Sequence, residues 1–199
     1  MLREQDADVV ALEEANDRAV CERLATSLGY ELVYGEANSE FAVAWLSRLP
    51  VDRVENHRLP VFAKTLLEME IGGVQLLATH LVHGDAAEQR AAEVEAILDR
   101  VRPPAVLVGD FNAVRPDDEV GEPPRGENLR LLDRRSIELI LTSGMRDCYR
   151  SLHDAHGWTY KAWHPFLRID FVFAQGLESR SCDVVEADAS DHFAVVADF

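Results

Sequence analysis

Three short segments carry residue types that can do chemistry together: Gly109-Asp110-Phe111-Asn112, Arg168-Ile169-Asp170 and Ser190-Asp191-His192. Asp110 and Asn112 are two positions apart, so a regular strand aims both side chains at the same face. A carboxylate and a neutral amide oxygen there suit a hard cation such as Mg²⁺ or Ca²⁺, or a phosphate held beside it. An imidazole next to a carboxylate, as His192 and Asp170 can supply, suits proton transfer or the binding of an anion. Ser190-Asp191-His192 does not read as a hydrolase triad, because adjacent residues in a strand diverge.

The elements that must position these groups are legible from periodicity. Ala105 to Val108 is an apolar run ending at a glycine, which reads as a buried strand leading into Asp110. Val9 to Leu12 is a second short buried strand. A helix with Asn16 as N-cap, Val20, Leu24 and Leu28 on one face and Gly29 as its stop should follow. Phe41–Leu46 and Val51–Val54 are strand-like around a Leu49-Pro50 turn, and Gly72-Gly73 joins Leu66–Ile71 to Val74–Thr79 as a two-residue hairpin. Val94, Ile97, Leu98 and Val101 recur at helical spacing over Asp85–Val101, which Pro103-Pro104 ends. Ile137–Leu141 is a short helix. Strands over Ile169–Ala174, Asp183–Val185 and Phe193–Ala197 close the chain. The acidic, Pro/Gly-rich stretch Arg115–Glu127 reads as a solvated loop bordering the Asp110 strand. Strands with a few amphipathic helices imply an α/β fold of mixed sheets with helices outside.

Composition narrows the function classes. The chain has 199 residues, 47% of them hydrophobic, which fits one domain spanning 1–199. The formal charge of −16 repels polyanions at long range, although a bound cation or a local arginine patch can reverse that inside a cleft. Only Lys64 and Lys161 are lysines. Cys21, Cys148 and Cys182 are widely spaced, with no C-x-x-C pair, which argues against a disulfide framework or zinc site. There is no apolar run long enough for a transmembrane segment and no secretory h-region, so a cytoplasmic protein is expected.

In order along the chain, Asp8-Val9-Val10-Ala11-Leu12-Glu13-Glu14, Thr79-His80-Leu81, Gly109 to Asn112, Arg168-Ile169-Asp170-Phe171-Val172-Phe173 and Ser190-Asp191-His192 resemble the motifs of one family. It is the endonuclease/exonuclease/phosphatase superfamily of divalent-metal phosphoesterases, which includes pancreatic deoxyribonuclease, abasic-site endonucleases, neutral sphingomyelinases and inositol polyphosphate 5-phosphatases. The resemblance implies a four-layer α/β/β/α sandwich of two packed mixed sheets. It implies hydrolysis of phosphoester bonds by in-line water attack with Mg²⁺, or Mn²⁺ or Ca²⁺ in its place. On this resemblance Glu14 and Asp191 ligate the metal, and Asp110 holds the attacking water. Asn112 and His80 contact phosphate, Asp170 orients His192, and Arg168 lies on the substrate side. Glu13 stands where the family usually has glutamine, and only one of the two adjacent carboxylates should reach the metal.

The chain departs from the family in one respect. The family's opening strand, with its Trp-Asn or Phe-Asn pair, has no counterpart between Met1 and Asp8. The expectation is weakened metal-dependent activity and self-association through a sheet left short of a strand. The competing reading is a weakened or inactive member that binds a phosphorylated ligand or serves a structural role. The expected substrate is a phosphoester: a small phosphodiester, a lipid headgroup or nucleic acid. Trp158, Tyr160, Trp163 and Phe166 could stack bases or touch acyl chains.

Overall fold

A computed structural model describes residues 1–126 and 132–199 of the chain. Eleven strands and four helices are found among them, in the order α1 (Leu2–Gln5), β1 (Val9–Leu12), α2 (Arg18–Leu28), β2 (Glu31–Gly35), β3 (Val43–Ser47), β4 (Arg53–His57), β5 (Leu66–Ile71), β6 (Val74–His80), α3 (Ala87–Leu98), β7 (Ala105–Asp110), α4 (Arg135–Thr142), β8 (Arg146–Asp147), β9 (Asp170–Gln175), β10 (Ser181–Val185) and β11 (Ala194–Asp198). The fold is α/β. A six-stranded mixed sheet runs β4-β5-β6-β7-β9-β8. In it β6 and β7 are parallel and the other pairs antiparallel. A three-stranded sheet, β1-β3-β2, and the β10-β11 hairpin lie on one face of it.

Strand alternation divides the core. On one face of the large sheet Leu66, Leu77, Leu107, Phe171 and Phe173 meet Val94 and Ile97 of α3 and Ile137 and Ile140 of α4. On the other, Leu67, Met69, Leu76, Ala78, Val106 and Val172 meet Val33, Val43 and Trp45 of the small sheet and Cys182 of the hairpin. Successive side chains of a strand point to opposite faces, so near-continuous apolar runs such as Ala105–Val108 serve both cores. Helix α2 covers the outer side of the three-stranded sheet on a patch of small residues, with Ala15, Cys21, Ala42 and Ala44 packed together.

The Gly72-Gly73 hairpin forms as expected, both glycines at positive φ (58° and 80°), as a two-residue turn of right-handed strands needs. Helix α2 differs from expectation. Its N-cap is Asp17, which accepts from Val20 N at 3.1 Å, not Asn16. Its buried positions are Cys21 and Ala25, because the alanine patch beneath it has room only for small side chains, and Val20 is left exposed. Strands β2 and β8 were not expected from the sequence.

The loop expected over Arg115–Glu127 is not simply solvated. Asp118 is buried, Arg134 donates to the carbonyls of Arg115 and Pro116, Trp158 Nε1 donates to Glu119 O, and Gly121 N donates to Phe166 O. Glu127 lies outside the described residues. None of the described helices is long and apolar enough to cross a membrane.

Candidate active site

The register of the large sheet builds the centre of the site. His80 at the end of β6 is the pairing partner of Asp110 at the end of β7, and Asp110 is in turn the partner of Asp170 at the start of β9. All three alternate in phase with Ala78, Val108 and Val172, so they share the face turned toward β1 and β11. Close approach of β6 to β7 is needed here, and Gly109 permits it. At φ 142° a Cβ on Gly109 would lie 1.8 Å from Thr79 O.

His192, just before β11, comes down on this row from the opposite layer. Its Nδ1 lies 2.9 Å from Asp170 Oδ2, and Thr159 Oγ1 donates to the same oxygen at 2.5 Å. The Tyr160 ring packs against the imidazole at 4.8 Å, and Phe193 N donates to Thr159 O, so the 159–160 segment braces the histidine. Burial pulls the His192 imidazole down, but the hydrogen bond and charge of Asp170 outweigh it and raise it to about 9. The imidazolium is therefore the resting form near neutral pH.

The two aspartates of the row diverge. Burial raises Asp170, and the neighbouring charge of Asp110 adds to that. Burial would also raise Asp110, but the hydrogen bond and charge of His80, with His192 and the Asn112 N–H, hold it below the usual carboxylate range. His80 Nε2 is 3.2 Å from Asp110 Oδ2, while its buried Nδ1 has no hydrogen-bond partner among the described residues. Asn112 takes a left-handed conformation (φ 47°) that turns its backbone N–H onto Asp110 Oδ1 at 2.8 Å. Its side-chain amide donates to Leu81 O at 3.1 Å. The same carbonyl accepts from Lys64 Nζ at 3.0 Å, and burial lowers the Lys64 amine to about 8 against the opposing charges of Asp110 and Glu14.

His80, Asp110, Asn112, Asp170 and His192 are thus brought together. Asp110, Asp170 and His192 offer donor atoms all within 4.8 Å of one another. Glu13 faces the same cluster: burial, and then the charges of Asp170 and Asp110, push its carboxyl up to about 8. Glu14, at φ 51°, is exposed beyond the end of β1, though its charge reaches Lys64. Asp191 is exposed at the rim, its backbone carbonyl accepting from Ala162 N at 2.7 Å. Crowded carboxylates with shifted pKa values and oxygen donors fit a hard divalent cation, which would relieve their mutual repulsion.

Arg168 does not take the substrate-side position expected of it. Its guanidinium is buried, forks onto Asp147 at 3.0 and 2.6 Å, and reaches Asp118 at 2.8 Å. It also lies 4.4 Å over the Phe171 ring. Buried charge must be matched, and this arginine spends its donors on two carboxylates inside the protein. Sequence reasoning also passed over Glu13, Lys64 and Thr159. Strand alternation left Glu13 as one of two choices, and no spacing marks Lys64 or Thr159.

The structure is similar to several solved ones. A 3′ phosphatase from Neisseria bound to a product DNA hairpin matches with TM-score 0.79 and 20% identity, over 96% of this chain and 88% of that one. An AP endonuclease from Archaeoglobus fulgidus matches with TM-score 0.79 and 19% identity, over 100% and 91%. A truncated TDP2 from Caenorhabditis elegans matches with TM-score 0.68 and 21% identity, over 98% and 85%. At these identities the likeness concerns the fold. None of the curated proteins is matched by sequence. The sequence model of the endonuclease/exonuclease/phosphatase family matches residues 1–192, the span that holds every strand end of the site, and the chain belongs to that family.

Proposed function

We propose that this protein hydrolyses a phosphoester bond by direct attack of water, with a divalent cation, Mg²⁺ by preference, bound among its carboxylates. Members of its family are hydrolytic phosphoesterases. The observation that carries the proposal is the in-register row His80–Asp110–Asp170 capped by His192.

Asp110, held ionised, is the group that orients the water and takes its proton. The His192 imidazolium, fixed by Asp170, donates to a phosphoryl or leaving oxygen. His80 faces the charge that builds on the phosphoryl oxygens. Asn112 holds Asp110 through its backbone and gives its amide to phosphate in exchange for Leu81 O. Glu14 and Asp191, with Glu13 as the inner donor, are the residues proposed to hold the cation. When bound it polarises the phosphate and stabilises the leaving oxygen. With a net charge of −16, a small phosphodiester or lipid headgroup suits the protein better than long nucleic acid.

Hydrolysis of bis(p-nitrophenyl) phosphate and p-nitrophenyl phosphate with Mg²⁺, Mn²⁺ or Ca²⁺, beside His192→Ala, tests this. Cation-dependent release of nitrophenol that His192→Ala slows about 100-fold or more supports it; turnover indifferent to His192 refutes it.

A further inference from the structure

Helix α3 turns two charged side chains into the protein. Arg90, Glu93, Val94 and Ile97 share one helix face, at i, i+3, i+4 and i+7, and each is 1% exposed or less. Val94 and Ile97 fill the core, and Arg90 Nε donates to Asp133 at 2.9 Å. Glu93 turns instead to backbone. Its Oε1 accepts from Ala63 N at 2.7 Å and its Oε2 from Val82 N at 3.0 Å.

Both amides belong to segments that carry the site. Val82 N–H and Leu81 C=O are the two ends of one planar peptide unit and point in opposite directions. Holding the N–H therefore aims the carbonyl. Leu81 O accepts from Asn112 Nδ2 at 3.1 Å and from Lys64 Nζ at 3.0 Å. Ala63, which donates to the other oxygen, directly precedes Lys64. Arg90 Nη1, on the same helix face, donates to Val82 O at 2.9 Å, and Leu81 N donates to Asp110 O at 2.9 Å. The stretch that leaves His80 is thus gripped by α3 and presents one carbonyl to the site.

We propose that Glu93 is a positioning residue: through the Leu81–Val82 peptide it aims the carbonyl that holds Asn112 and Lys64 in place. It acts through backbone and not on the reacting atoms, and its consequence for turnover rests on the phosphoester reading. A carboxylate is the group this place requires. Both partners are N–H donors, so the amide of glutamine, equal in shape, turns an NH₂ group toward one of them. That peptide must then rotate away or remain unpaired in the interior. A carboxylate is costly to bury in a helix face that leucine could fill, and two backbone donors offset that cost.

The test compares Glu93→Gln, Asn112→Ala and the double variant, each in the full chain. One readout needs no turnover: the Asn112 side-chain NH₂ resonances in a proton–nitrogen correlation spectrum. Expected in Glu93→Gln is their shift toward the positions of a solvated amide, with the backbone resonances of Leu107 and Phe173 unmoved. On bis(p-nitrophenyl) phosphate with Mg²⁺, kcat falls about fivefold or more, the worth of one hydrogen bond. The loss in the double variant falls short of the product of the single losses by about threefold or more, because both act through one carbonyl. Unmoved Asn112 resonances overturn the proposal, and so do losses that multiply. If the wild-type chain turns over no phosphoester, that reading fails alone and the Asn112 resonances decide. Glu93→Asp, which keeps the charge but is too short to reach both amides, gives the same outcomes where Glu93→Gln does not fold.

Discussion

Asp110 and Asp170 are cross-strand partners on adjacent antiparallel strands, and His80 binds the first as His192 binds the second. Two buried carboxylates side by side repel, and each is left a different task by its histidine. Asp110 is held ionised, while Asp170 is spent on orienting an imidazolium.

Removing that imidazolium should be costly. His192→Ala lowers kcat on a nitrophenyl phosphodiester by about 10²–10⁴-fold, the usual worth of a positioned acid or base. Asp170→Asn loses a comparable factor, and the double variant loses little more than either single one, because the pair acts as a unit. Initial rates at saturating Mg²⁺ check this; fully additive losses contradict it.

In chelator, stability should fall as pH rises. Glu13 is raised from 4.5 to about 8 and His192 from 6.5 to about 9, so both bind their protons more tightly when folded. The stability each contributes is complete below its unfolded value and is lost as pH climbs through its folded value. Lys64, lowered to about 8, acts oppositely and softens only the alkaline end. Urea midpoints should therefore decline between about pH 5 and pH 9, with a shallower decline in Glu13→Gln.

A divalent cation should restore what the crowded carboxylates lose. At about 100 times its Kd, Mg²⁺ adds roughly 2.7 kcal/mol of stability. Glu13→Gln and Glu14→Gln, compared by Mg²⁺-dependent shifts in Tm, show which of the adjacent glutamates binds it. A shift unchanged in both variants removes the glutamates from the metal site.

Arg168→Ala should act on the fold. Leaving Asp147 and Asp118 buried without their partner costs about 3–5 kcal/mol. Denaturation midpoints drop, while KM of the remaining folded protein stays near the wild-type value. A large rise in KM at unchanged stability would return Arg168 to the substrate side.

Gly109→Ala puts a methyl group into the Thr79 carbonyl and forces an unfavourable φ, costing at least ~1–3 kcal/mol. Because it parts β6 from β7, activity should fall further than stability. Equal activity per folded molecule would show that the His80–Asp110 register is not needed.

Much of this arrangement is legible in the sequence. The strands bearing His80, Asp110 and Asp170 are apolar runs that end where the chemistry begins, and the Gly72-Gly73 turn fixes one pairing outright. What stays hidden depends on backbone torsion or on distant partners. The choice between Glu13 and Glu14 turns on a positive φ at Glu14, which side-chain pattern does not reveal. Arg168 finds its carboxylates 21 and 50 positions away in sequence, so nothing local distinguishes it from an arginine facing substrate. Strand β2 does carry a signal, with Leu32, Val33 and Tyr34 between Gly29 and Gly35, but it follows the helix stop so directly that it is easily read as the helix's trailing loop.

The groups proposed to react sit at or beside strand ends, whereas the margin of the site is loop. Trp163, 67% exposed, belongs to the segment tied to Asp191 through Ala162 N. Hydrogen-bonded strands tolerate little drift, but such a margin can vary freely. A lineage built on this plan can therefore change what it recognises, one loop at a time, while the groups proposed to cleave stay fixed.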